Sequence, residues 1–277
     1  MGFALQWRLG RLGAHLILIL GSVFMLLPFV WMLSTSFKSF SQSILIPPIW
    51  IPRPAHPETY IQAWNAAPFG IYFFNSFFVA ITCVVGEVLL SIFAAYAFAR
   101  MNFFGKNVLF VALLGTLMIP GEVLLIPNYV TLAQLHWINT YYALIVPWLT
   151  SVFAIFLLRQ QFLTIPGELF DAARIDGAGH TRFLWQVMVP LSRPAIVTVA
   201  LFKFIGSWNA FLWVLLVTNT PNMRTVPVGL TAFATEAGEH YNLWMAAATL
   251  ALIPVVLLFL AAQKQFVEGI ARTGLKG

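Results

Sequence analysis

Glu168, Asp171, Arg174 and Asp176 fall within nine residues of a chain in which only 9% of residues are charged. At roughly 2.5 to 3.5 kcal/mol for each charge at a membrane centre, burying all four in hydrocarbon would cost on the order of 10 kcal/mol. The stretch 165–194, IPGELFDAARIDGAGHTRFLWQVMVPLSRP, is therefore aqueous. It is also patterned to fold. Pro166 opens a helix, the acids lie near its positive end, and Gly177 closes it in a left-handed cap. Leu169, Ala172, Ala173 and Asp176 then share a face at i, i+3, i+4, i+7 spacing, and the alanines leave room for another surface. The chemistry this pattern supports is recognition by a docking helix. A helix lying on the lipid interface is the alternative, which Arg182 and Trp185 permit, but such helices favour Lys and Arg over the acidic first turn found here.

Two more charges, Glu87 and Lys203, lie inside long apolar runs, where ionisable groups are functional candidates. Counted at about 1.5 Å per residue from the nearest basic anchors, both sit roughly 15 to 20 Å deep, so they can pair. Each can equally face a wet cavity or a partner subunit by itself. Trp208 and Asn209 offer a ring face and an amide to a sugar ring and its hydroxyls, although most membrane tryptophans pack or anchor. These four are the candidate translocation-cavity residues. Bond-making chemistry finds no support, and no catalytic or metal site is expected. The histidines are scattered without an H-E-x-x-H spacing, the lone Cys83 lies in an apolar run, and no G-x-x-x-x-G-K-[ST] phosphate loop occurs. Glu122, beside Pro120 and Gly121, suits a kink or an outer gate.

The elements that position these residues are apolar. Hydrophobic residues make up 60% of the chain and the mean hydropathy is +0.86, far outside the soluble range. Runs of about 20 residues without in-out alternation indicate helices rather than a barrel. We expect an all-α integral membrane protein with one permease domain over residues 1–277. Its six spans fall near 14–33, 71–98, 108–127, 141–158, 195–217 and 243–262. The first is expected to be a spanning helix rather than a signal peptide, because its run is long and no small-x-small site follows. The third holds Pro120 and Pro127 and is expected to kink. Prolines 47, 48, 52, 54 and 57 mark an extended loop. Arg8, Arg11, Arg100, Lys106, Arg159, Arg174, Arg182, Arg193, Lys264, Arg272 and Lys276 gather on one side, against Lys38, Arg53 and Arg224 on the other. The positive-inside rule then makes both termini cytoplasmic, together with the loop 159–194 between spans four and five. The net charge of +6 reflects these helix ends, not nucleic-acid binding.

Asp171, Ala172, Ala173, Gly177, Val187, Val189 and Pro190 resemble the EAA loop of ABC importer permeases, whose pattern is Glu-Ala-Ala, three residues, Gly, nine residues, Ile-x-Leu-Pro. The spacing matches throughout, with Asp171 for Glu and two valines for Ile and Leu. Asn75-Ser76, Met118-Ile119-Pro120, Ile126-Pro127, ARIDGAG at 173–179, Ser207-Trp208-Asn209 and TGLKG at 273–277 extend the resemblance to carbohydrate-uptake permeases similar to the six-span maltose-transporter subunit. The resemblance implies a multi-pass subunit of a prokaryotic cell (inner/plasma) membrane that forms half of a pore with a second homologous permease. It implies coupling to two cytoplasmic ATPase subunits through Glu168, Asp171, Ala172, Ala173, Asp176, Gly177 and Pro190. ATP and Mg would sit on those ATPases, with no cofactor on this chain. An extracytoplasmic sugar-binding protein would meet the outer loops, residues 218–242 above all. The rival from another class is an ion-coupled secondary transporter using Glu87 as its carrier acid; no internal repeat supports it. An intramembrane hydrolase lacks the motifs it would need.

Overall fold

The computed structural model describes residues 2–235 and 238–274, so residues 236–237 and the tail 275–277, with the end of the TGLKG stretch, lie outside it. The regular secondary structure of the described residues is helical apart from one antiparallel pair of two-residue strands, β1 (Ala234–Thr235) and β2 (Gly238–Glu239). The N-terminal run forms α1 (Gly2–Ser36). A capping box, in which Ser39 and Gln42 satisfy each other's backbone N–H, opens α2 (Phe40–Ser43). The proline-rich stretch is non-helical up to α3 (Glu58–Asn65), and α4 (Phe69–Arg100) follows.

The third run breaks as its prolines predict. Helix α5 (Lys106–Gly115) ends in a tight turn, Ile119 is extended ahead of Pro120, and α6 (Leu125–Gln134) leaves at 91°. A proline drives the preceding residue out of the helical region and removes an N–H, so the helix cannot continue. Two further interruptions depart from the expected spans. Where one helix is expected over 141–158, α7 (Tyr141–Ile145) and α8 (Val152–Leu163) flank a turn through Pro147. The expected span 195–217 is α12 (Arg193–Trp208) followed, after a break at 209–211, by α13 (Leu212–Val217). Between α8 and α12 lie α9 (Glu168–Ile175), α10 (His180–Phe183), a π turn (Leu184–Met188) and α11 (Val189–Leu191). The short α14 (Val226–Gly229) and the long α15 (Tyr241–Gly274) complete the chain. Among the described residues four helices are long and apolar enough to cross a membrane, or up to six if each of two sharply bent helix pairs counts as one.

By compactness the chain divides into two units, Met1–Ala67 with Leu230–Ile253, and Pro68–Gly229 with Pro254–Gly277. In the first unit, apolar side chains between Leu16 and Leu33 are exposed, a surface that needs lipid or another chain. Lys38 is fully buried there, its ammonium 3.8 Å from the Trp31 ring centroid and donating to Thr35 Oγ1 at 3.1 Å. Burial holds that ammonium below the usual lysine range.

The second unit is built on α4, against which α8 and α12 pack. One core joins Ile92, Tyr96, Leu158, Phe162, Phe183 and Met188. The other joins Val79, Cys83, Leu144, Trp213, Val217 and Val228. A β-carbon on Gly86 would collide with the Leu149 side chain, so glycine sets how closely the turn before α8 approaches α4.

Candidate functional site

Helix α9 begins at Glu168, two residues after Pro166, with Gly167 as its N-cap. Gly167 offers no side-chain acceptor, and Glu168 and Asp171 in the first turn compensate the free N–H groups electrostatically. At the other end Gly177 has φ +76°, the Ala178 N–H donates to Ala173 O at 2.8 Å, and the Gly177 N–H donates to Arg174 O at 3.0 Å. This is a complete Schellman cap, the closure expected of Gly177. No atom lies within 4 Å of a β-carbon placed there, so a side chain would strain the backbone without a clash.

The faces of α9 differ in part from expectation. Phe170 and Ala173 turn inward against the core, with the Phe170 ring 5.0 Å from Phe183 and 5.1 Å from His180. Glu168, Leu169, Asp171, Ala172, Ile175 and Asp176 are exposed, Ile175 to 87%. Ala173 thus serves the chain's own packing, and Ile175, outside the expected face, joins the free one. Pro190 is exposed on α11.

What fixes this loop was only partly visible in the sequence. The Arg100 Nη2 donates to Phe162 O at 2.9 Å and also to Ile165 O, tying the end of α4 to the residues just before α9. Tyr96 Oη and His180 Nδ1 share a hydrogen bond of 2.8 Å, and Arg159 Nε donates to Phe98 O at 3.2 Å. Phe183, Leu184 and Met188 are buried around the π turn. These bonds tie the segment that carries α9 to α4 and α8. Sequence reasoning treats Arg100 and Arg159 as end charges, because nothing local to them names their carbonyl partners.

Of the cavity candidates, the structure brings Glu87 and Lys203 together. Lys203 Nζ lies 2.6 Å from Glu87 Oε2, with side chains 13% and 6% exposed, and the pair joins α12 to α4. Trp208 is 2% exposed and packs among Phe77 at 4.8 Å, Phe204 at 5.7 Å and Phe73 at 6.1 Å. Its indole is a packing surface in this structure, and Asn209 is the exposed member of the two. Glu122 lies exposed in the turn after the Pro120 break.

At the other end of α4, Asn75 is fully buried and spends its whole amide on tertiary contacts. Its Nδ2 donates to Asn222 O at 2.8 Å and Arg224 O at 2.9 Å, while Tyr141 Oη donates to its Oδ1 at 2.6 Å. Ser76 Oγ accepts from the Val226 N–H at 2.8 Å. These two side chains clamp residues 222–226, and the Tyr72 ring fills the space a β-carbon on Gly229 would need. Asn75 and Ser76 drew notice only as part of a resemblance; a buried Asn at a helix start is the physical signal that they bind distant backbone.

Residues 87–272 match the family described as the binding-protein-dependent transport system inner membrane component. The sn-glycerol-3-phosphate transport system permease protein of Yersinia enterocolitica is 36% identical, covering 92% of this chain and 94% of its own length. An arabinooligosaccharides transport system permease protein of Halalkalibacterium halodurans is 37% identical over 77% and 76%. Among solved structures, a bacterial ABC transporter that imports the acidic polysaccharide alginate superposes with a TM-score of 0.83 at 21% identity, covering 93% of this chain and 96% of that one. The alginate transporter in complex with an alginate pentasaccharide-bound periplasmic protein gives 0.64 at 12%, over 91% and 93%. At these identities the structural likeness speaks for the fold.

Proposed function

The chain belongs to the binding-protein-dependent transport system inner membrane components, and from that premise we propose that it is one of two homologous permeases lining the pore of an ATP-driven importer of carbohydrate or a similarly hydroxylated solute. Six spans with both termini cytoplasmic fit the charge distribution, each broken segment counting as part of one crossing. Of two cytoplasmic ATPase subunits, which carry ATP and Mg, one docks on the free face of α9. An extracytoplasmic binding protein delivers the cargo to the outer side, where the clamp on residues 222–226 presents the adjoining loop. The cargo class rests on relatives named for sn-glycerol-3-phosphate and arabinooligosaccharides.

The observation that carries this reading is the acidic, Schellman-capped α9, exposed on one face and anchored on the other to α4 and α8. Closure of the ATPase dimer on ATP pushes a helix that cannot yield locally, so the membrane helices move with it. Glu87 is ion-paired with Lys203, so a coupling cation would have to displace that ammonium to reach the carboxylate. The test is uptake into proteoliposomes holding both permeases and the ATPases. Cargo accumulates only when ATP and the loaded binding protein are both present. Uptake driven by a proton gradient without ATPase would assign the chain to secondary transport instead.

A further inference from the structure

A cavity of about 460 Å³ lies where α4 ends, α5 begins and α8 ends, lined in part by Asn102, Lys106, Asn107 and Arg159. Its charge is of one sign. Among the described residues neither Lys106 nor Arg159 forms an ion pair with an acid. Lys106 Nζ donates to Met101 O at 2.8 Å and Arg159 Nε to Phe98 O at 3.2 Å, with the guanidinium lying over the Phe110 ring at 4.0 Å, which leaves the ammonium's other protons and the in-plane terminal N–H groups of the guanidinium for a ligand. Two cations facing one wet cavity repel each other unless an anion sits between them. Phe103 and Leu163, both lining the cavity, are exposed, so the polar chamber opens beside apolar surface. It lies at the ends of helices that read as membrane crossings, which is the depth of lipid headgroups.

We propose that this cavity binds the phosphate of an anionic glycerophospholipid, with the acyl chains running along the apolar surface around Phe103 and Leu163. A zwitterionic lipid fits less well, because its own cation would meet Lys106 and Arg159. The Asn102 and Asn107 amides supply neutral donors to the same phosphate, and Gly105, at φ +76°, makes the turn that brings Lys106 back toward α8. The inference requires only that these helices cross a membrane, and it is independent of the cargo.

The test uses the full transporter complex in nanodiscs of phosphatidylglycerol and phosphatidylcholine, with retained lipid counted by native mass spectrometry after delipidation. The wild type retains phosphatidylglycerol preferentially. Lys106→Gln weakens that retention about fivefold, the loss expected for one surface cation. Arg159→Gln does the same if it assembles. Arg159→Lys, which keeps the charge but loses the Phe98 bond, retains the preference and separates charge from folding. Equal retention of the two lipids, or no change in Lys106→Gln, overturns the proposal. Displacement of the lipid by inorganic phosphate, with phosphate bound as tightly when no lipid is present, assigns the cavity to a free anion and also overturns it.

Discussion

Removing one member of the Glu87 and Lys203 pair leaves the other buried and unmatched, a loss of about 3 to 5 kcal/mol. Glu87→Gln and Lys203→Met should therefore each destabilise the purified protein. The double variant should lose less than the sum, with a coupling energy of about 1 to 3 kcal/mol in denaturant unfolding; additive effects would mean that the two do not depend on each other. The contact was legible as a possibility, because two charges at similar depth in apolar runs need partners, but depth alone does not give azimuth. Trp208 shows the same limit from the other side. Its sequence context offers it to a sugar, whereas three phenylalanines from α4 and α12 enclose it. Trp208→Ala should cost about 3 to 5 kcal/mol of stability and leave the ratio of uptake rates between two sugars unchanged. Altered selectivity at full stability would place the ring in the pore.

Helices α9 and α5 illustrate what local chemistry encodes. Proline before Gly121 and glycine after Asp176 act on their own backbone, so the Pro120 break and the Gly177 cap could be read without tertiary information. The inward turn of Ala173 could not, because it depends on Phe183 and His180 lying beneath Phe170. Nor could the Arg100 tie, whose acceptors are 62 and 65 residues away. A charged hydrogen bond of this kind is worth about 1.5 to 3 kcal/mol. Arg100→Gln should therefore raise hydrogen exchange across 165–178 by about tenfold or more, while the clamp at 222–226 is unaffected. Asn75→Ala should do the reverse, speeding exchange at 222–226 and leaving α9 protected. Equal effects at both ends in either variant would show that the two ends of α4 lack separate ties.

On the scale of the whole molecule, composition was sufficient for a helical membrane protein, because chain-wide hydropathy needs no knowledge of contacts. It could not give the division into two units or the interruptions at Pro147 and at 209–211, which apolar runs conceal. The exposed apolar side chains of α1 and the exposed face of α9 are surfaces that the proposed function assigns to lipid and to partner subunits. Its central property is then mechanical. On the function proposed above, the free face of α9 would receive the ATPase, and the Schellman cap with the Arg100 tie would make the push rigid. A β-branched residue at Gly177 meets no neighbouring atom but strains the left-handed backbone by about 1 to 2 kcal/mol. The direct test is therefore Gly177→Val in the reconstituted complex, with assembly, binding-protein-stimulated ATP hydrolysis and cargo uptake measured together. Subunits that still co-purify, with uptake falling about tenfold or more relative to ATP hydrolysed, are the predicted result; wild-type uptake per ATP in a fully assembled complex would contradict it.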